Sequence, residues 1–308
     1  MAKPKKSVVV LMGGVSSERE VSLSSGTAIA KALAEAGYAV RTVDVGADVA
    51  ALVRALTPAP DVVFNALHGR FGEDGCLQGL LELMRIPYTH SGVFASALGM
   101  DKPAAKRAVE SVGVRTPKGV VVSREALAES DPLPRPYIVK PIAEGSTVGL
   151  KLVTEGANRV DFGRGWTFGS DVLVEEYIPG RELTVGVMGD RALAVTEIRF
   201  KASIFDYTAK YTPGHADHVI PAPVPRDVYE EAMRFALLAH RAVGCNGISR
   251  SDFRYDECKP GTQGLYFLEI NTQPGFTPLS LVPEQAQHEG ISFGALCAWL
   301  VENARCHA

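Results

Sequence analysis

The chain has 308 residues, 46% hydrophobic and 22% charged, enough apolar material for two or three domains with ample core. A formal net charge of −3 argues against a general nucleic-acid binder, and no apolar run reaches the roughly 18 residues of a membrane span. Five cysteines, scattered and without a Cys-x-x-Cys pair, point to reduced thiols in a cytoplasm rather than to a disulfide framework.

The basic start, Met1-Ala2-Lys3-Pro4-Lys5-Lys6, precedes an apolar run too short for a signal core, so Val8–Met12 reads as a buried first strand. It leads into Gly13-Gly14-Val15-Ser16-Ser17-Glu18-Arg19-Glu20. Paired glycines at a strand's carboxyl end let the backbone approach a ligand, and open α/β sheets bind ligands at that end. The third glycine of a dinucleotide fingerprint is missing. Ser17 with Glu20 fits a helix capping box, which leaves Glu18 as the candidate to hold a ligand ammonium. A helix over Ala28–Ala36 stops at Gly37; strand Tyr38–Val45, helix Ala50–Leu56 and strand Val62–Leu67 follow. The third strand runs into His68-Gly69-Arg70-Phe71-Gly72-Glu73-Asp74-Gly75, where His68 is either a satisfied structural histidine or a site residue. Helices Gly79–Met84 and Phe94–Met100 complete an alternation that means a parallel sheet with crossover connections.

After about residue 102 the rhythm changes. A helix, Lys102–Val112, ends at Gly113, and strands then dominate: Tyr137–Lys140, Gly149–Val153, Val172–Glu176 and Glu182–Met188. Lys140 closes its strand before the small-residue loop Ala143-Glu144-Gly145-Ser146-Thr147-Val148-Gly149. Backbone N–H groups of such a loop can cradle phosphates beside a lysine charge, although a lysine in that place is as often simply solvated. The turn Glu175-Glu176-Tyr177-Ile178-Pro179-Gly180-Arg181-Glu182 offers backbone groups to a purine edge and a carboxylate to ribose; alone, it is merely strand–turn–strand. Residues 199–224 show little periodicity and read as a long loop of the kind used as a lid. That loop holds Lys210 and Tyr211, and also His215-Ala216-Asp217-His218, whose spacing suits a metal but lacks a third ligand for zinc.

A helix over Val228–Val243 precedes the most informative runs, Gly247–Phe253 and Gly264–Asn271. Both read as strands, so Arg250 and Asp252 share a face, as do Glu269 and Asn271. A hairpin folded about Pro260-Gly261 sets Asp252 opposite Glu269 and Arg250 opposite Asn271. Opposed carboxylates destabilise a sheet, so this face wants a counter-ion: Arg250 alone, or Mg²⁺, which accepts two carboxylates and an amide oxygen beside phosphate. Gly275, just beyond, presents an N–H to an oxyanion. A last helix is expected over Phe293–Asn303.

Gly-Gly-x-Ser-x-Glu-Arg-Glu, Leu-His-Gly-Arg-x-Gly-Glu-Asp-Gly, Lys-Pro-x-x-Glu-Gly-Ser and Glu-x-Asn-Thr-x-Pro-Gly occur in order from Gly13 to about Leu281. Together they resemble the D-alanine–D-alanine ligases of the ATP-grasp superfamily. The resemblance implies a three-domain ATP-grasp fold: a Rossmann-like parallel sheet at 1–102, then two antiparallel-sheet domains at 103–187 and 188–308 that grip ATP, with 199–224 as the lid. It implies that ATP phosphorylates the carboxylate of one D-alanine and that a second D-alanine's amine attacks the acyl phosphate, for peptidoglycan precursors in the cytoplasm. By the same resemblance Glu18 and His68 meet the first substrate, and Ser280 and Leu281 the second. Lys102, Lys140 and Lys210 meet phosphates, while Glu175, Glu176, Ile178 and Glu182 surround adenosine. Ser146 and Tyr211 close the loop, Arg250 and Gly275 hold the oxyanion, and Asp252, Glu269 and Asn271 hold two Mg²⁺ (or Mn²⁺). A homodimer is implied, with no nucleic acid and no membrane. Ligases of D-alanine with D-lactate or D-serine are the nearest rivals, Tyr211 favouring the dipeptide; a non-catalytic nucleotide-binding relative and a nicotinamide dehydrogenase are more distant. Two residues depart from the family pattern: Gln273 for serine, and Pro103 after Lys102. Neither is expected to touch a proposed ligand.

Overall fold

The computed structural model describes residues 5–145, 149–158, 160–163, 166–200 and 216–307. Ser146, Lys210 and Tyr211 lie outside the described residues, as does His215. Among the described residues no helix is long and apolar enough to cross a membrane.

The first sheet is parallel, ordered β2-β1-β3, from β1 (Ser7–Gly13), β2 (Ala39–Val45) and β3 (Val62–Asn65). The central strand is apolar on both faces because both are covered. Val8 and Val10 pack with Ile29 and Leu33 of helix α1 (Arg19–Glu35), while Val9 and Leu11 pack with Leu52, Leu77 and Leu81 on the opposite side. Helix α1 begins nine residues before its expected start. Its first turns bury Ser22, Ser25 and Gly26 instead of apolar residues, so hydrophobic periodicity is silent there. Gly26 is needed for this approach, since a Cβ would sit 2.5 Å from Met12 Cβ. The capping box does not form: Glu18 is the N-cap and makes no side-chain cap bond.

The second sheet is antiparallel, ordered β4-β7-β5-β6, from β4 (Gly119–Ser123), β5 (Tyr137–Pro141), β6 (Lys151–Val153) and β7 (Asp171–Glu176). The third, also antiparallel, is ordered β10-β9-β8-β11-β12, from β8 (Arg181–Met188), β9 (Arg191–Phe200), β10 (Ala216–Val219), β11 (Ile248–Tyr255) and β12 (Leu265–Asn271). Strand β9 therefore runs into the start of the stretch expected to be one long loop, 199–224, and β10 lies within it. The helix Arg226–Val243 covers this sheet with Val228, Phe235 and Val243.

The register of β11 and β12 decides which side chains reach the site. Arg250 pairs with Asn271 and Asp252 with Glu269, as expected, but nearer the turn Tyr255 pairs with Leu265 and Phe253 with Phe267. The slip leaves Leu268 as the extra residue of a β-bulge. Its effect is a change of phase: Leu265 and Phe267 are buried before it and Ile270 after it, while Glu269 and Asn271 face outward. Without the bulge, Leu268 would stand opposite Asp252.

Two buried histidines predict acid sensitivity. His90, 2% exposed and edge-on to Phe64, is driven by burial to about 3, and His240 by burial to about 4. Both folded values are depressed below the ordinary 6.5, so their contribution is complete above that pH and is lost as pH falls toward 4 and then 3. Two extra protons on the unfolded chain give a slope approaching about 2.7 kcal/mol per pH unit near pH 5. Urea unfolding between pH 7 and 4.5 measures it. His90→Phe removes about one proton from the slope, and an unchanged slope would contradict the assignment.

Candidate active site

A cavity of about 560 Å³ opens where the parallel sheet's strand ends meet the outward face of β11 and β12. Glu18, His68, Lys102, Glu182, Arg250, Asp252, Glu269, Asn271, Gly275, Ser280 and Leu281 all line it. Residues scattered over more than 260 positions of sequence thus share one chamber.

The corner formed by the first sheet is held by polar bonds. Ser16 Oγ donates to the His68 carbonyl at 2.7 Å. His68 Nδ1 shares a hydrogen bond with Glu73 at 3.1 Å, and Nε2 one with Ser25 Oγ at 3.3 Å. Burial raises the Glu73 carboxyl, and His68 opposes that rise. The Glu18 carboxylate lies against Gly69, where a Cβ would come within 2.9 Å of it. The Gly13-Gly14 pair, in contrast, does not open toward a ligand. A Cβ on Gly13 would lie 2.2 Å from Asp44 Oδ1, and Arg19 bridges Asp44 and the Gly14 carbonyl.

Lys102 opens the helix Lys102–Glu110, which Asp101 caps through the Ala104 N–H; Pro103 sits in its first turn. Its ammonium donates to the Glu144 carbonyl and lies 3.7 Å from Glu269. One turn on, at the i+4 spacing that shares a helix face, Lys106 reaches Glu175, which also binds Lys140 at 2.8 Å. Burial and the like charge of Lys140 hold Lys106 low, against Glu175. Lys140 is raised: burial depresses it most, but Glu175, Glu269 and Glu182 together outweigh that. Glu175 is lowered despite burial because both ammoniums face it. Its carboxylate is therefore committed to two lysines beside the turn between β7 and β8. Ile178 O accepts from Arg254 Nε at 3.1 Å, and Glu182 lies 3.6 Å from Arg254. Glu176 is half-buried at the end of β7.

On the floor, Arg250 binds Asp252 bidentately: Nε to Oδ1 at 2.9 Å and Nη2 to Oδ2 at 2.8 Å. Thr184 Oγ1 adds a bond to Asp252 Oδ1 at 2.6 Å. Behind Thr184, Gln285 Nε2 donates to its carbonyl at 3.1 Å and to Thr196 Oγ1 at 2.9 Å. This ties the helix Leu281–His288, which Ser280 and Leu281 begin, to the sheet carrying Asp252. Ser280 Oγ accepts the Thr277 N–H at 2.9 Å beside Gly275. His218 Nδ1 and Glu284 share a hydrogen bond at 2.6 Å on the chamber's rim, while His215, the other half of the suggested metal spacing, lies outside the described residues.

Asp252, Glu269 and Asn271 fit a divalent cation. They offer hard oxygens on one strand-pair face at the chamber wall, the donor set of Mg²⁺ or Mn²⁺. Among the described residues no three His, Cys, Asp or Glu side chains could hold a metal by themselves, so an amide and ligand oxygens would complete the shell. Gln273 requires a correction: its N–H donates to Asn271 Oδ1 at 2.9 Å, so it does touch a candidate ligand. Sequence reading also missed Lys106, Glu73, Thr184 and Gln285. Only Lys106 had a signal, its i+4 relation to Lys102.

A family model described as D-ala D-ala ligase C-terminus matches residues 110–302, and one described as D-ala D-ala ligase N-terminus matches residues 47–91. The chain is 59% identical over 302 residues to the D-alanine–D-alanine ligase of Acidiphilium cryptum, covering 98% of this chain and 99% of that protein. It is 56% identical to that of Granulibacter bethesdensis, covering 98% of each. Among solved structures, the D-alanine–D-alanine ligase of Bacillus anthracis complexed with ATP superposes with a TM-score of 0.80 at 28% identity, covering 98% of this chain and 97% of that one.

Proposed function

The chain belongs to the D-alanine–D-alanine ligase family, and from that premise we propose a division of labour among the residues of its chamber. The reaction is ATP-dependent joining of two D-alanines into D-alanyl-D-alanine for peptidoglycan synthesis. A carboxylate is a poor electrophile, so the γ-phosphoryl group of ATP is first transferred to one D-alanine carboxylate, releasing ADP. The amine of the second D-alanine then attacks the carbonyl carbon, and phosphate leaves with the C–O bond that breaks.

In this reading Glu18 holds the first substrate's ammonium, with His68 beside that substrate. Lys102 and Lys140 bind phosphates, and Glu175, Glu176, Ile178 and Glu182 surround adenosine. Arg250 and the Gly275 N–H hold the tetrahedral oxyanion, and Ser280 and Leu281 receive the second substrate. Asp252, Glu269 and Asn271 would hold two Mg²⁺ or Mn²⁺ ions, which when bound neutralise developing phosphoryl charge. Ser146 and Tyr211, proposed to close the loop, and Lys210, proposed to reach phosphate, lie outside the described residues. Three domains are proposed, at 1–102, 103–187 and 188–308; among the described residues β8, which begins at Arg181, is paired with β9 and β11 of the third sheet. A cytoplasmic location is proposed because ATP and D-alanine are met there. A homodimer is supported by exposed Leu83 and Phe94 on neighbouring helices; a monomer mass in sedimentation at micromolar concentration removes it.

The observation that carries the reading is the convergence of Glu18, Arg250, Asp252, Glu269 and Gly275 on one chamber. ADP release with D-alanine, and the identity of the product when D-lactate or D-serine competes as second substrate, test it. D-alanyl-D-alanine exceeds the mixed product at least roughly tenfold when D-alanine and either rival are equimolar; no D-alanine-dependent ADP eliminates the function.

A further inference from the structure

The Gln273 side chain spans two parts of the chamber that are far apart in sequence. It is 2% exposed. Its Oε1 accepts from Asn65 Nδ2 at 2.8 Å, and its Nε2 donates to the Leu67 carbonyl at 2.5 Å. Asn65 ends β3 and is itself fixed, with Nδ2 donating to the Gly72 carbonyl at 2.9 Å and Oδ1 accepting the Leu67 N–H at 3.1 Å. Leu67 shares a peptide bond with His68, a wall of the first-substrate corner. On the other side, the Gln273 N–H fixes Asn271, and Gly275 follows two residues later.

We propose that Gln273 is a positioning residue that sets the spacing between the His68 corner and the Asn271–Gly275 loop, and so between the two groups that must react. The inference rests on the ligase reading above. A buried amide both donates and accepts at this reach; a serine hydroxyl is too short for either partner, and an ionised glutamate cannot donate. Bringing a carboxylate to a phosphoryl group depends on placement within about an ångström, so a strut remote from the bond-forming atoms acts on rate through geometry. Removing it leaves the Leu67 carbonyl without this donor inside a closed wall, which costs affinity on the side where the first substrate sits.

The test is initial-rate kinetics of the full chain and of its Gln273→Ser and Gln273→Glu variants, with the KM for the first D-alanine, the KM for ATP and the thermal midpoint read together. The first variant shortens the side chain beyond reach of both partners, with the thermal midpoint reporting that it folds; the second keeps the volume and the acceptor while losing the donor. Both raise the first D-alanine KM about tenfold, the effect of one buried hydrogen bond, with the ATP KM within twofold of the unsubstituted chain. An unchanged first-substrate KM in either variant overturns the proposal. So do equal rises in both KM values with a fallen midpoint, because that pattern marks a general scaffold. Absence of D-alanine-dependent ADP release by the unsubstituted chain fails the ligase reading itself, and the proposal falls with it. A sound reading with a failed strut shows instead as normal unsubstituted turnover and unaltered variants.

Discussion

Arg250→Ala lowers turnover by on the order of 10²–10³, the scale of losing one oxyanion donor. The guanidinium stands beside Asp252 on β11, held by two parallel bonds, so its direction is fixed before substrate arrives. Preorganisation matters because a donor that must reorient during reaction gives back much of what it stabilises. The substitution also leaves Asp252 with Thr184 alone, removing the cation that offsets a carboxylate placed opposite Glu269. Arg250→Lys keeps a charge but loses the planar fork, so it recovers only part of the rate. Steady-state ADP release with saturating D-alanine measures both variants. Near-normal turnover in Arg250→Ala would remove Arg250 from its role.

The largest stability effect is expected from Glu175→Gln. Glu175 is 1% exposed and faces Lys106 and Lys140, each of which burial alone drives toward neutrality. Deleting the shared carboxylate leaves buried Lys106 without its ion-pair partner and Lys140 with only Glu269 and Glu182 to offset burial, a loss of about 3–5 kcal/mol. Domains of ordinary stability hold about 5–15 kcal/mol, so the variant unfolds at a much lower urea concentration. The pH dependence distinguishes this cause from a packing defect. In the variant Lys106, already held low by burial, keeps a folded value depressed below the unfolded value, so the deficit is full at neutral pH. It shrinks as pH rises toward 10 and the unfolded lysines also lose their protons. A urea midpoint at pH 7 equal to that of the unsubstituted chain contradicts the charge assignment. A deficit that does not change between pH 7 and pH 10 contradicts it as well.

The features most legible in sequence were those in which one residue carries its own geometric signal. The alternation about Pro260-Gly261 placed Asp252 opposite Glu269, and the apolar run Val8–Leu11 announced a strand covered on both faces. The same hairpin also marks the limit. Its register holds at the site yet fails at the turn, because the bulge at Leu268 depends on burying Leu265, Phe267 and Ile270 together. Helix α1 was legible only in its second half, since close packing of Ser22, Ser25 and Gly26 on β1 leaves no hydrophobic period. Gly13-Gly14 misled for a related reason. Left-handed backbone is visible in sequence, but the Arg19–Asp44 pair that fills the space above it joins helix α1 to strand β2. Lys106, Gln273 and Gln285 act through partners dozens to hundreds of positions away, and no local pattern encodes those distances.

The most direct measurement supplies D-alanine labelled with ¹⁸O in both carboxylate oxygens and follows the label during ligation by the full chain. Transfer of the γ-phosphoryl group to that carboxylate, followed by amine attack at carbon, sends one labelled oxygen into inorganic phosphate for each dipeptide formed. Unlabelled phosphate accompanying dipeptide formation would contradict an acyl phosphate and with it the arrangement assigned to the chamber.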